Sequence, residues 1–439
     1  ASKEIENIFK YNSEHDIWTG LLNRRCLETL LKDDAKKRTP KKRAVLSINL
    51  STVHSLSLTY GFQYSQELIK KAAKALDALS TEQCKLFITY ENQFVFYLNS
   101  YRDKNELSAF SESITAVLKT VLSVEKIGAG IGIVEIDDQN KHDIDLMLKN
   151  LLVASEKAIH VFEPDICACF FDTEMAMQMY RDETISHELA EISQGVQADR
   201  LFLQYQPIWD LASNRICAFE ALARLSSDEL GPISPIEFIP ITEKTNLIIP
   251  LGYEIIRKAL HFLNRLNEKG HTKVGISINI SAIQLLKNDF TANLFKIIDE
   301  IKVNPENIEL EITESIFVAN HENINRILGE LKTYGIKIAI DDFGKGYSSL
   351  ARERELNVDC LKIDKCFIDK LISLKDEETI TGDIISMSHK LGHYVVAEGV
   401  EHEKQYNYLV EHHCDKIQGF LISRPLDEDV ALDAVNVMS

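Results

Sequence analysis

The run Ile338-Ala339-Ile340-Asp341-Asp342-Phe343-Gly344-Lys345-Gly346-Tyr347-Ser348-Ser349-Leu350 decides how the rest of the chain is read. Its apolar, β-branched start predicts a buried strand that stops abruptly at two adjacent carboxylates. Two glycines and two serines then give a loop able to bend tightly and approach a ligand closely. Adjacent strand residues point to opposite faces, so neighbouring aspartates reach a common centre only where the strand ends. Acids gathered there beside a loop suit a divalent cation, since hard cations want oxygen ligands. Taken alone, the run reads equally well as an Asx turn with solvated acids, so its surroundings must decide.

Outward from it, strand-like runs at 201–207, 215–221, 274–280, 308–313, 336–341, 359–364, 394–397 and 415–418 alternate with helical ones at 234–246, 251–269, 281–287, 289–301, 320–334, 376–391 and 402–412. Eight strands with intervening helices predict a TIM-like (β/α)8 barrel. The polar residues fall at the ends of these runs: Glu220, Asn279, Glu311, Asp341 and Asp342, Lys362, Glu398 and Gln418. Active sites of such barrels sit on that face, so these groups are expected to converge on one mouth. Buried like charges repel unless cations neutralise them. Four carboxylates, a bridging Asp341 and an asparagine carbonyl can hold two divalent ions about 3.5–4 Å apart, the arrangement that displaces a phosphoester in line. Oxygen-only ligands favour magnesium or manganese over zinc.

With these residues in view, the second half resembles the EAL family, the cyclic-di-GMP phosphodiesterases. Glu220-Ala221-Leu222 is its signature, and around it stand Tyr205-Gln206-Pro207-Ile208, Asn279-Ile280-Ser281, Glu311-Ile312-Thr313-Glu314, Leu361-Lys362-Ile363-Asp364, Ala397-Glu398-Gly399-Val400-Glu401 and Gln418-Gly419-Phe420. The resemblance runs over roughly residues 182–430, with no ligand position lost. It implies hydrolysis of cyclic-di-GMP to linear pGpG. Glu220, Asn279, Glu311, Asp341, Asp342 and Glu398 would form the shell of a two-metal magnesium or manganese site. Lys362 would orient or help activate the attacking water, assisted by Gln418. Gln206, Leu222 and Arg224 would contact substrate, Arg224 as a phosphate clamp. Glu314 would anchor the loop after Asp342. The resemblance also implies a homodimer through this domain, for which Phe343, Tyr347 and Leu350 beside that loop are the only hint. Two other classes compete: a receptor that binds the dinucleotide without cutting it, and a carbon–carbon lyase. The lyase would want a Schiff-base lysine in an apolar pocket, whereas Lys362 lies among acids.

The first half reads as an α/β sandwich: a helix over 3–14, a turn running into a helix through Leu31, strands at 44–50, 86–89, 94–98 and 127–134, and helices at 65–79, 105–122 and 142–159. From Phe162 to about Ala198 the sequence turns helical, its Met175, Met177 and Met179 read as packing. This order resembles the GGDEF family, the diguanylate cyclases, whose opening motif is matched by Asp16-Ile17-Trp18-Thr19-Gly20-Leu21-Leu22-Asn23-Arg24-Arg25. The signature turn aligns as Tyr90-Glu91-Asn92-Gln93-Phe94, so both glycines are gone and amides stand where acids should be. The other metal aspartate is Asn49, and the inhibitory site would fall on Thr81 and Cys84. The resemblance thus implies a degenerate, regulatory GGDEF domain, with GTP as its candidate ligand, over residues 1–170, followed by an EAL domain over 182–439.

Composition agrees with two or three soluble domains in 439 residues, 45% hydrophobic and 26% charged. Residues 1–180 carry a net charge of −3 and residues 181–439 one of −15, together the −18 of the chain. Such an acidic second half argues against a nucleic-acid polymer as partner. No apolar run approaches the ~20 residues of a membrane span. The eight cysteines are scattered without a CxxC pair, which fits reduced thiols in the cytoplasm. A start at Ala1 leaves room for the chain being the cytoplasmic part of a longer, membrane-attached or sensor-linked protein.

Overall fold

The structure is a computed structural model that describes residues 11–37, 41–50, 57, 61–122, 128–138, 140–159, 166–313, 316, 321–343, 357–373 and 379–437. The chain divides into two compact units, Ala1–Tyr180 and Arg181–Ser439. Glu314, Tyr347 and Leu350 lie outside the described residues, as does most of the helix expected over 3–14.

In the first unit, β1 (Leu22–Asn23), β2 (Lys42–Leu50), β3 (Cys84–Tyr90), β4 (Gln93–Tyr101), β5 (Ala129–Ile136) and β6 (Ile166–Phe170) form one sheet in the order β1-β3-β4-β2-β5-β6. Alternation splits its side chains between two helical layers. Leu46, Ile48, Phe94 and Phe96 pack with Leu68, Leu76, Leu107 and Ile114 of helices Phe62–Asp77 and Lys104–Leu122. Val45, Val95 and Tyr97 face Leu27, Leu31, Met147 and Leu151 of helices Arg24–Ala35 and Ile144–Ala158. On β5 that helix comes so close that a Cβ on Gly130 would lie 1.8 Å from the Ser155 carbonyl oxygen.

The stretch expected to turn helical from Phe162 instead holds β6, which adds parallel to the edge of β5. Its Ile-Cys-Ala-Cys-Phe sequence is short and built of small residues, so it shows little apolar periodicity. The helix proper is Thr173–Ser193.

In the second unit eight strands close on themselves: β7 (Leu201–Asp210), β8 (Arg215–Ser227), β10 (Gly275–Asn279), β11 (Ile308–Thr313), β12 (Lys337–Phe343), β13 (Cys360–Ile363), β14 (Tyr394–Ala397) and β15 (Lys416–Ile417), with β9 (Gly231–Ile233) added to the edge of β8. The expected barrel is present, but it is not uniformly parallel. β7 runs antiparallel to both β8 and β15, whereas β8 and β10 to β15 run parallel around the ring. Four residues separate Asp210 from Arg215, which is room for a hairpin and not for a crossover helix. Behind this hairpin, Phe262 of helix Ile248–Glu268 stacks on Tyr205, 3.7 Å between centroids, and meets Phe219 edge-on at 5.4 Å. Tyr205 and Phe219 point outward, so alternation turns Gln206 and Glu220 inward.

Candidate active site

β7 and β8 build one wall of the mouth. Gln206 sits directly across from Glu220 and Gln204 across from Leu222, while Arg224 lies two rungs further along the same face. Asn279 ends β10, and Glu311 lies in β11 directly across from it. β12 ends in a bulge: Ile340 pairs with Leu361 and Phe343 with Ile363, so Asp341 and Asp342 together oppose Lys362. Asp342 takes a left-handed backbone, φ 55°, which interrupts strict alternation where two neighbouring acids are needed at one rim. Glu398 follows β14 and Gln418 follows β15, and backbone bonds extend the ladder to them, Glu398 N donating to Ile363 O (3.0 Å) and Gln418 N to Ala397 O (2.9 Å). Beside Gln418 only glycine fits, because a Cβ on Gly419 would lie 2.2 Å from the Val400 carbonyl oxygen.

At the centre stands Lys362, with 0% of its surface exposed. Its Nζ lies 2.6 Å from Glu311 Oε2, 2.6 Å from Glu398 Oε1, and 3.6 Å from both Asp341 Oδ1 and Glu220 Oε2. Glu220 accepts from Asn279 Nδ2 (2.8 Å) and from Gln418 Nε2 (2.7 Å). The same Gln418 nitrogen reaches Gln206 Oε1 (3.0 Å), and Gln206 donates to the Ser423 carbonyl (3.1 Å).

Burial works against the Lys362 ammonium, but the surrounding carboxylates, Glu220 first, outweigh it and hold its pKa well above the usual lysine value. Burial also raises the Glu220 carboxyl, yet Lys362 and donation from Gln418 and Asn279 prevail and keep it low and ionised. The excess falls on the other two glutamates. Burial and then Glu220 push Glu311 well above the ordinary carboxylate range, and burial takes Glu398 up to about 7, with Lys362 opposing and Asp341 adding to it.

One ammonium therefore faces four carboxylates. Among the described residues the acids close on Lys362 and form no ready three-ligand metal geometry. Three buried oxygens at this centre still have no hydrogen-bond partner: Glu311 Oε1, Asp341 Oδ1 and Gln418 Oε1. Surplus negative charge and orphaned oxygens are what a divalent cation would satisfy, so the residues fit the magnesium or manganese their types suggest.

Glu220, Asn279, Glu311, Asp341, Lys362, Glu398, Gln418 and Gln206 thus meet around one centre, and Asp342 is placed beside them by the bulge. Leu222 lies on the adjoining wall. Arg224 is half-buried, its Nε donating to Gln204 Oε1 (2.9 Å) and its Nη1 to the Ala223 carbonyl (2.9 Å). Phe343, one of the hints of a dimer surface, is instead buried in the barrel core. Sequence reasoning missed Gln204, although it stands two residues before Gln206 and so on the same strand face. His389, paired with Asp415, and buried His393 belong to the opposite end of β14 and take no part here.

In the first unit the corresponding turn is closed by its own side chains. Asn92 Nδ2 donates to Asn49 Oδ1 (3.2 Å) and to Leu50 O (3.2 Å). It is Asn92 that reaches Asn49. Gln93, the other altered metal position, is paired directly across the ladder from Asn49, is buried, and accepts from Thr89 Oγ1 (2.8 Å). Tyr90 projects from the turn, its hydroxyl taken by Arg24 Nη1 (2.5 Å). The kept opening motif has structural work: Asp16 Oδ1 accepts from Thr19 N (2.8 Å) and Thr19 Oγ1 (2.7 Å), and Asn23 Oδ1 caps helix Arg24–Ala35 through Cys26 N (3.2 Å).

Comparison with known proteins agrees with both halves. The EAL domain family model matches residues 189–425, and the model "Diguanylate cyclase, GGDEF domain" matches residues 13–158. The chain is 28% identical over 430 residues to the bifunctional diguanylate cyclase/cyclic di-GMP phosphodiesterase MucR of Pseudomonas aeruginosa, covering 96% of this chain and 61% of that protein. It is 37% identical over 235 residues to the signaling protein YkoW of Bacillus subtilis, covering 54% of this chain and 29% of YkoW. The chain therefore spans less than two thirds of either relative's length. Among solved structures, a PaMucR phosphodiesterase in complex with c-di-GMP superposes with TM-score 0.54 at 32% identity, over 56% of this chain and 99% of that one. The Vibrio cholerae LapD S helix-GGDEF-EAL structure gives 0.58 over 96% of this chain and 99% of its own, at 17% identity a likeness of fold alone.

Proposed function

Because the chain belongs to the EAL family and carries a GGDEF domain in tandem with it, we propose that its barrel hydrolyses cyclic-di-GMP to linear pGpG, and that its first domain is regulatory and makes none. The observation that carries the reading is Lys362, wholly buried among Glu220, Glu311, Asp341 and Glu398 with unsatisfied oxygens beside it. The c-di-GMP complex of the PaMucR phosphodiesterase, 32% identical, supports the choice of substrate.

Magnesium or manganese, held by Glu220, Asn279, Glu311, Asp341, Asp342 and Glu398, would polarise the phosphodiester and make water a better nucleophile. The chain's own groups do the rest. Lys362 can only donate, so its ammonium orients the attacking water by its lone pair and offsets charge gathering on the phosphate. Gln418 holds Glu220 ionised and in place. Gln206 and Leu222 line the substrate's path, and Arg224 offers a planar donor fork to a phosphate. Glu314 is assigned to anchoring the loop after Asp342.

In the first domain, amides stand at Asn49 and Gln93 where a magnesium triphosphate needs acids, and Asn92 donates to the Asn49 carbonyl, which supports loss of synthesis. A cleft of about 310 Å³ beside Tyr90, lined by Arg24, Gln93, Asp145 and Lys149, leaves room for a small effector, GTP being the candidate.

The test is chromatography of cyclic-di-GMP incubated with the pure full chain and manganese. Conversion to pGpG is expected. Intact dinucleotide, tightly bound, would instead make the barrel a receptor.

A further inference from the structure

Resting on that reading of the mouth, we propose that Gln204 is a positioning residue for the substrate phosphate: it fixes the Arg224 guanidinium through one end of its amide while Asp427 fixes the other end. Arg224 Nε donates to Gln204 Oε1 (2.9 Å), and Gln204 Nε2 donates to Asp427 Oδ1 (3.0 Å). The chemistry of the three groups sets the direction of this chain. A guanidinium can only donate and a carboxylate can only accept, so the residue between them must accept at one end and donate at the other. Among side chains of this length only an amide does both. Glutamate would repel Asp427, and lysine would repel Arg224. Asp427 also decides which way the amide faces, because turning it over would set oxygen against oxygen and nitrogen against nitrogen.

The backbone makes the arrangement rigid. Gln204 is paired across the ladder with Leu222, between Gln206 and the rung of Arg224. Asp427 is delivered by a two-bond bridge next to it, Tyr205 N to Leu426 O (2.8 Å) and Leu426 N to Tyr205 O (2.9 Å). A second tie, Arg224 Nη1 to the Ala223 carbonyl (2.9 Å), uses one more donor. With Nε and one Nη1 hydrogen committed, the guanidinium plane is set, and its remaining donors are preorganised on the face that carries Glu220. Preorganisation of a flexible cation raises affinity by removing the ordering cost at binding. Gln204 therefore acts through Arg224 and touches no reacting atom.

The experiment is a cycle of Gln204→Leu with Arg224→Ala in the full chain, reading kcat and KM for cyclic-di-GMP with manganese, and Kd by calorimetry. Gln204→Leu is expected to raise KM and Kd about 5- to 10-fold, as expected for weakening a hydrogen bond to a charged group, with kcat changed less than about twofold. In the Arg224→Ala background the same substitution should change neither. Asp427→Ala, at an exposed position that does not endanger folding, should raise KM about 2- to 5-fold, and Asp427→Asn, which keeps an acceptor, should restore it. An unchanged KM in Gln204→Leu, a fall confined to kcat, or an equal penalty with Arg224 absent would overturn the assignment. A wild-type chain that binds but does not cut leaves Kd as the readout, so failure of the hydrolase reading and failure of this one are told apart. A wild-type chain that binds no cyclic-di-GMP would remove both.

Discussion

Replace Lys362 with methionine and the mouth keeps its carboxylates but loses the only fixed cation that the described residues place between them. Breaking a buried ion pair from one side costs about 3–5 kcal/mol. Lys362→Met should therefore lose hydrolysis and, in chelator, unfold at markedly lower urea. Added manganese should return more stability to this variant than to the wild type, and equal gains in both would contradict the charge argument. Asp341→Asn should lower kcat far more than Arg224→Ala. A bridging carboxylate serves the chemistry itself, whereas a phosphate clamp adds binding and should show chiefly in KM; equal kcat losses would reverse the assignment. His393 gives a pH effect away from the mouth. Burial, aided by Lys332, lowers its pKa below the usual value, and neither ring nitrogen has a hydrogen-bond partner. Below the unfolded-state pKa of about 6.5 the unfolded chain takes the proton more readily, so this contribution is intact at neutral pH and lost on acidification. His393→Leu should thus gain on the wild type in urea midpoint between pH 7.5 and pH 5.5, and a constant gap would exclude it. These residues differ in how they read from sequence. Glu311 and Glu398 follow apolar runs and Lys362 interrupts one, so they announce themselves. Gln204 does not, since a glutamine in a strand is ordinary until its two neighbours are known.

At the scale of elements, the bulge in β12 is the joint on which the mouth depends. Asp342 holds a left-handed backbone, which costs an ordinary L-residue about 1–2 kcal/mol and aspartate or asparagine less. Asp342→Asn should keep the fold while losing charge, whereas Asp342→Val should destabilise as well. Urea midpoints separate the two, and identical midpoints would show that the bulge carries no such strain. Behind the catalytic hairpin, Phe262→Ala removes a ring with no exposed surface and should cost about 3–5 kcal/mol. Most strands of the barrel were legible because β-branched runs between turn residues have few other solutions. The antiparallel sense of β7 is written only in the length of its turn, and β6 is hidden by its cysteines and alanine. In the first domain the sequence named Asn49 and Gln93 as the altered metal positions, and the structure sets them directly across the β2–β4 ladder, with Asn92 bonding the Asn49 side chain. Which neighbouring amide bonds Asn49 is set by side-chain geometry, and composition cannot give it.

At the scale of the molecule, the full chain with GTP and magnesium is expected to form no cyclic-di-GMP, and Asn49→Asp with Gln93→Glu should not restore synthesis. Tyr90 still occupies the turn, and the Gln93 side chain is tied to Thr89. Product in either case would refute the reading of that turn. Dimerisation through the barrel remains a proposal from family resemblance, without Phe343 to support it. Light scattering at tens of micromolar with manganese present should find two copies, and a monomer would count against it. The reversed direction of β7 has one more consequence. Were every strand to run the same way, the barrel would be threaded from its floor, at the greatest distance from the chemistry. Because β7 descends, the polypeptide is fed in over the rim, at Leu201 opposite Leu225, and passes Gln204 and Gln206 on the way down. The chain upstream of Leu201, from Ile185, Leu189 and Ile192 packed in the core of this unit, is thus joined to the lip of the vessel and not to its base.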